Sequence, residues 1–253
     1  MKYFNQNNYG HVAYPSKELP NATIKSGGCG CVCSANVAIF FGFTVSIPAL
    51  AKIFVDKEIR VNGGTDMTKA AKYLCDTYVL EYRTTNDENE LVRHLQSGGV
   101  AIANVGGNRG SYKGVFSDGG HYINVVDYDG KPPKPFIVFD VGCYSGKYNA
   151  SYRKPYVSVF TDSFGNTMQY TTQDCLNNDT ANRNPQYYLF SKKEEPRMNK
   201  YSYDDTVDRM VQDGVTTVGN ITYWEGVLAG KEAVSPDFLR TILKRYQDKV
   251  RGK

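Results

Sequence analysis

The sequence predicts an α+β domain with an antiparallel sheet, followed by a small helical module. Three observations carry this. Helical punctuation fills the first hundred residues, short β-branched and aromatic runs with turn signals between them fill the next ninety, and a charged stretch then gives way to three more helical segments.

The first helix is expected after Gly30, in "CVCSANVAIFFG", apolar or small on most faces and closed by Gly42. "SIPALAKIF" follows, with Ser46 as cap and Pro48 in the first turn. "TDMTKAAKYLCDTY" starts at Thr65, and "NDENELVRHLQSGG" starts at Asn86 with acids in its first turn and glycines at its end. Strands are expected at "VAIANV" (Val100–Val105), "HYINVVDY" (His121–Tyr128), "PFIVFDV" (135–141), "YVSVFT" (156–161) and "QYYLFS" (186–191).

Hydrophobicity drops at "SKKEEPRMNK", so residues 193–202 are read as a linker after a domain of residues 1–192. Residues 203–253 then form a module of three short helices, which carries the single tryptophan, Trp224. A module of about fifty residues is marginal alone, so self-association through these helices is one expectation for it.

A chain of 253 residues can bury a full core without metals or disulfides. Its six cysteines, at 29, 31, 33, 75, 143 and 175, show no repeating spacing and are expected as free thiols. The N-terminal twenty residues lack the apolar core of a signal peptide, and no run reaches the roughly 20 apolar residues of a membrane span. Synthesis in the cytoplasm without membrane insertion is the expectation. A net charge of +4 lacks the dense basic stripe of a nucleic-acid binder, so no nucleic-acid partner is expected.

The stretch "IKSGGCGCVC" raises the chemical question. Residues two apart on a helix diverge by about 200°, so Cys31 cannot converge with Cys29 and Cys33, and no CxxC or histidine pair accompanies them. Neither a metal nor another cofactor is expected. A cysteine that follows two glycines at a helix start is suited to be a nucleophile, because Gly28 admits a close substrate chain and the helix N-terminus favours thiolate. Only Cys29 stands there; Cys31 and Cys33 are expected to pack as small apolar side chains.

Of three histidines, His11 lies in an aperiodic polar segment and His94 on a charged helix, where a solvated role is expected. His121 opens a strand behind Gly119 and Gly120, which leave its ring accessible. A hairpin turning near Gly130 and Lys131 would set His121 opposite Asp140 to within one residue, close enough for the carboxylate to orient the imidazole. An aspartate that merely ends its strand is the other reading.

"TIKSGGCGCVCSANVAIFFG", "NGGTDMTKAAKYL", "GGHYINVVDYDG" and "IVFDVG", in this order, resemble the papain-like cysteine peptidases related to the bacteriocin-processing, double-glycine peptidases. The resemblance spans about residues 1–192. It implies a papain-like fold with Cys29 as nucleophile, His121 as base and then acid, and Asp140 as the residue orienting the histidine. Relatives commonly carry proline and then threonine or alanine after Cys-Gly, where this chain has Cys31 and Val32. Their oxyanion-hole glutamine, six residues before the cysteine, is replaced by Thr23. The nearest upstream glutamine, Gln6, is the candidate side-chain donor beside the backbone N–H of Cys29. Gly28, Gly120 and Trp224 are the candidate substrate contacts.

The tail "DGVTTVGNITYWEGVLAGKEAVSPDFLRTILKRY" is similar to C-terminal helical segments of peptidoglycan hydrolases from Gram-positive bacteria and their phages. Its last helix gathers Arg240, Lys244, Arg245, Lys249 and Arg251 against Asp248, a face that suits an anionic wall polymer. The expected function is a thiol hydrolase that cuts an amide in bacterial peptidoglycan, as an endolysin-like endopeptidase or amidase acting on the wall after release from the cell. A peptidase that processes a protein or leader peptide, and a non-catalytic wall-binding or phage structural protein, are the alternatives.

Overall fold

A computed structural model of the chain describes residues 1–193. The chain divides into two units, Met1–Lys193 and Glu194–Lys253. The expected linker, the helical module and Trp224 lie outside the described residues.

The first unit is α+β with an antiparallel sheet. A short α1 (Ile24–Gly27) leads through Gly28 into α2 (Cys29–Phe40), followed by α3 (Ile47–Asp56). A two-stranded ribbon, β1 (Arg60–Val61) with β2 (Gly64–Thr65), precedes α4 (Met67–Tyr78). Then come β3 (Leu80–Thr85), α5 (Glu88–Gln96), β4 (Val100–Val105), β5 (His121–Tyr128) and β6 (Phe136–Phe139). The unit closes with β7 (Val157–Thr161), β8 (Thr167–Thr171), α6 (Gln173–Thr180) and β9 (Tyr187–Lys192).

The four expected helices form, with small changes at their starts. The Asp66 side chain, rather than Thr65, caps α4 by accepting from the Lys69 N–H, and Asp87 caps α5 by accepting from the Asn89 N–H. Pro48 sits in the first turn of α3, where a missing N–H costs nothing, but Ser46 makes no side-chain cap. The five expected strands also form. The short α1 and the β1–β2 ribbon were not foreseen, nor were β3 ("LEYRTT"), β8 ("TMQYT") and α6 ("QDCLNNDT").

Seven strands make one antiparallel sheet in the order β3-β9-β4-β5-β6-β8-β7. Alternation along β4 divides its side chains between two cores: Val100 and Ile102 join α2, α3 and α4 on one face, and Ala101, Ala103 and Val105 join Leu91, Leu95, Cys175 and Leu176 of α5 and α6 on the other. Every residue of α2 from Gly30 to Ala38 is buried. It is therefore a central helix held on all sides rather than a surface helix with one apolar stripe. Asn124 of β5 donates from Nδ2 to the Cys33 carbonyl at 3.1 Å, and Asn36 exchanges hydrogen bonds with the backbone of Phe4 at 2.8 and 3.0 Å. These bonds fix the helix against the sheet and place its first residue at the sheet's end. Among the described residues, no helix is long and apolar enough to cross a membrane.

Candidate active site

Cys29 is the first residue of α2 and is partly exposed, whereas Cys31 and Cys33 are wholly buried. The two glycines before it serve the fold as well as access. A β-carbon on Gly28 would come within 2.7 Å of the Ile24 backbone, so glycine there lets α1 fold back onto the start of α2.

His121 opens β5, pairs with Val105 of β4, and is only 9 % exposed. The segment before it is pinned from two sides. Buried Asp179 of α6 accepts from the N–H groups of Val115 and Phe116 and from the Tyr112 hydroxyl, and Asp118 receives Arg153 Nη2 at 2.8 Å. Gly120 is occupied on its open side by Arg183, whose Nη2 lies 2.7 Å from where a β-carbon would stand. The absent side chain therefore makes room for a guanidinium.

His121 Nε2 meets Asp140 Oδ1 at 2.8 Å. The expected hairpin register is nevertheless wrong. β5 and β6 pair Asn124 with Phe139 and Val125 with Val138, so the expected partnership of residues 121 and 140 is displaced by two positions, and a bulge lies between Val125 and Asp127. The connection between the strands is not a turn tightly centred on Gly130 but a seven-residue segment, 129–135. Asp140 reaches the histidine because it stands just past the end of β6, where the ladder has stopped and its side chain lies diagonally toward the ring.

Asp140 is fully buried and saturated with donors. Oδ1 also accepts from the Gly142 N–H at 2.9 Å, while Oδ2 accepts from the Tyr148 hydroxyl at 2.6 Å and from Lys147 Nζ. Burial alone would raise its pKa; the Lys147 charge and the His121 hydrogen bond overcome this and hold the carboxyl well below the usual range.

With Nε2 committed to Asp140, Nδ1 is the ring nitrogen left available to the neighbouring Cys29 thiol. Burial pushes that thiol up, but the hydrogen bond and charge of His121, with backbone hydrogen bonds from Tyr122 and Gly30, outweigh it and bring the pKa below its ordinary value. Burial likewise pushes the imidazole down, and the hydrogen bonds to Asp140 and Cys29 raise it to about 9. The other five thiols all shift upward through burial, Cys75 and Cys143 to about 11. All six cysteines are free, and Cys29 is the one whose ionisation its surroundings favour.

Gln6 begins a short 3-10 turn, Gln6–Tyr9. Its N–H donates to the Val141 carbonyl at 2.8 Å, and its Nε2 donates to the Lys25 carbonyl at 3.2 Å. It is thus lodged between the residue after Asp140 and the turn before Cys29, and its Oε1 is buried without a partner.

His94 corrects the expectation of a solvated residue. It is 5 % exposed and donates from Nε2 to the Phe190 carbonyl at 2.9 Å, because the face of α5 that looked charged in sequence turns Leu91, His94 and Leu95 inward. His11 is exposed. Sequence reasoning missed Lys147 and Tyr148, which sit in the short 3-10 turn Lys147–Asn149, and Asp179 in the unforeseen α6. No motif marks them; their roles depend on how residues 140–148 fold back on the carboxylate.

The described unit is an α+β domain that presents a cysteine at a helix start beside a histidine at a strand start, with a buried carboxylate hydrogen-bonded to that histidine. No protein-family model and no curated protein matches the chain. Among solved structures it is similar to the peptidase domain of Streptococcus ComA, a bi-functional ABC transporter involved in a quorum-sensing pathway. Identity is 16 %, the TM-score is 0.35, and the match covers 64 % of this chain and 88 % of that one.

Proposed function

We propose that the chain is a papain-like cysteine hydrolase that cleaves an amide bond in bacterial peptidoglycan, with Cys29, His121 and Asp140 as its triad. The observation that carries the chemistry is the 2.8 Å bond by which buried Asp140 orients His121 beside the thiol at the start of α2, surroundings that also lower the Cys29 pKa. The Cys29 thiolate attacks the amide carbon, and the C–N bond breaks as the His121 imidazolium gives its proton to the leaving amine. Water, deprotonated by the neutral imidazole, then hydrolyses the thioester and restores the thiol–imidazole pair. Asp140 holds the ring and balances its charge throughout. The backbone N–H of Cys29 and the Gln6 amide are the donors suited to the oxyanion.

The wall substrate is supported by the sequence resemblance of the tail to wall hydrolases, and by the basic residues gathered at its end. Residues 203–253 would bind the wall or join copies of the chain, with Trp224 and the arginines and lysines between 240 and 251 as contacts. The test is digestion of purified cell walls with the full chain, with mass spectrometry of the released fragments and Cys29→Ala as control. The expected result is new amine termini in stem peptide or cross-bridge that vanish in the control. Intact walls alongside cleavage of a double-glycine leader peptide would transfer the same triad to a processing peptidase. Wall fragments that persist with Cys29→Ala would remove the nucleophile assignment.

A further inference from the structure

The two oxygens of Asp140 have separate partners. Oδ1 faces the chemistry, through His121 Nε2 at 2.8 Å. Oδ2 faces away from it, toward the Tyr148 hydroxyl at 2.6 Å and the Lys147 ammonium. All three residues are buried, with Lys147 only 8 % and Tyr148 5 % exposed. Lysine is among the residues least often fully buried, and one that is must be paired. Its backbone is held as well: Gly146 takes a left-handed φ of 81° at the start of the turn, and Arg153, anchored on Asp118, reaches the Lys147 carbonyl from Nη1 at 3.5 Å.

We propose that Lys147, assisted by Tyr148, is a positioning residue for the triad: it grips Asp140 Oδ2 and keeps the carboxylate charged, so that Oδ1 stays aimed at His121. This rests on the thiol-hydrolase reading and deepens it. In the reactive state the buried line then runs thiolate, imidazolium, carboxylate, ammonium, with alternating signs and no net charge. Three charges alone would leave an excess of one negative in a site where the histidine and the carboxylate are buried.

A consequence for pH follows. The groups that face Asp140 are His121 from β5, Lys147 and Tyr148 from the turn, Cys143 from the loop after β6, and Cys33 from α2. Burial raises the ionisation of Cys33, Cys143 and Tyr148, so these three stay neutral in the working range. Only His121 and Lys147 set the charge around the carboxylate. Without Lys147, Asp140 takes up a proton at higher pH, the imidazolium loses its counter-ion, and the thiolate loses the imidazolium. Activity at the acid side is lost earlier.

The experiment uses the full chain as wild type, Lys147→Met, Lys147→Arg and Tyr148→Phe. Alkylation of Cys29 by iodoacetamide is followed by mass spectrometry from about pH 4 to pH 9, with thermal melting to verify folding and with kcat and KM on wall fragments. Lys147→Met is expected to displace the acid limb of Cys29 alkylation upward by about one pH unit, a tenfold slower reaction on that limb, and to lower kcat more than KM. Lys147→Arg, which keeps the charge, should return the limb to its wild-type position; Tyr148→Phe should reduce kcat a few-fold without moving it. A folded Lys147→Met protein with the wild-type limb overturns the proposal. So does Lys147→Arg displacing the limb as far as methionine does, and if the methionine variant does not fold, the arginine variant decides alone by the position of its limb. If wild-type Cys29 is alkylated no faster than the other five cysteines, the thiol-hydrolase reading fails, and this inference with it.

Discussion

Two histidines of this domain are buried to nearly the same extent and are pushed in opposite directions. His94 sits where α5 meets β9, with Phe190's carbonyl as its partner and the charge of Arg83 nearby, and burial holds its pKa below the ordinary 6.5. His121 suffers burial too, but a carboxylate on one side and a thiol on the other lift it to about 9. Burial sets the cost of charging an imidazole, and the partner decides whether that cost is met. A neutral, carbonyl-bound ring packs; a ring between a carboxylate and a thiol handles protons.

The contrast is broken most severely at Asp140. Asp140→Asn is expected to lower kcat by about a thousandfold with a much smaller effect on KM, because an amide can still accept from the ring but balances imidazolium poorly. It should also reduce thermal stability, since Lys147 loses its buried counter-ion. Steady-state kinetics with melting curves would separate the two effects. A variant with full turnover would place His121 in the same class as His94.

His94→Ala should do the reverse. Loss of a packed ring and of its bond to the Phe190 carbonyl is expected to cost about 2–3 kcal/mol of stability by urea unfolding, with the kcat of the folded fraction unchanged. A large fall in kcat would show that the α5 corner reaches the site.

The pH dependence of the melting temperature sharpens the comparison further. His94 has a depressed folded pKa, so its contribution is intact above about 6.5 and is lost as pH falls below that value. His121 has a raised folded pKa, so its contribution is intact below about 6.5 and is lost as pH rises through about 9, where the thiolate also loses its counter-ion. His94→Gln should therefore flatten the acid side of the profile and His121→Gln the alkaline side. The smallest effect belongs to exposed His11: His11→Ala should change stability by less than about 0.5 kcal/mol and leave activity intact.

Much of this was legible in the sequence because local rules act locally. The glycines before Cys29, the apolar run after it, and the strand behind Gly119 and Gly120 each announce an element and its first residue. What was not legible depends on tertiary arrangement or resembles loop. β3 carries Glu81, Arg83 and two threonines as an edge strand buried mainly at Leu80, β8 is polar enough to pass for turn, and the asparagines and aspartates of α6 favour turns in isolation. The contact between His121 and Asp140 was expected for a reason that the structure does not support. The register slips by two positions, and the carboxylate reaches the ring only because its strand has already ended. Lys147 and Tyr148 carry no signature because a grip on Oδ2 exists only once the loop has closed.

The position of β9 has a consequence for biosynthesis. The last strand of the unit lies between β3 and β4, and β3 has no other neighbour in the sheet. A chain emerging from the ribosome can form the β4-β5-β6 core around His121, yet β3 must wait more than a hundred residues for its partner. The sheet, and the platform on which α4 rests, closes only when Tyr187–Lys192 has been made. The order of synthesis therefore delays completion of the domain until nearly all of it exists, and a nascent chain released before residue 187 carries the thiol without the finished scaffold.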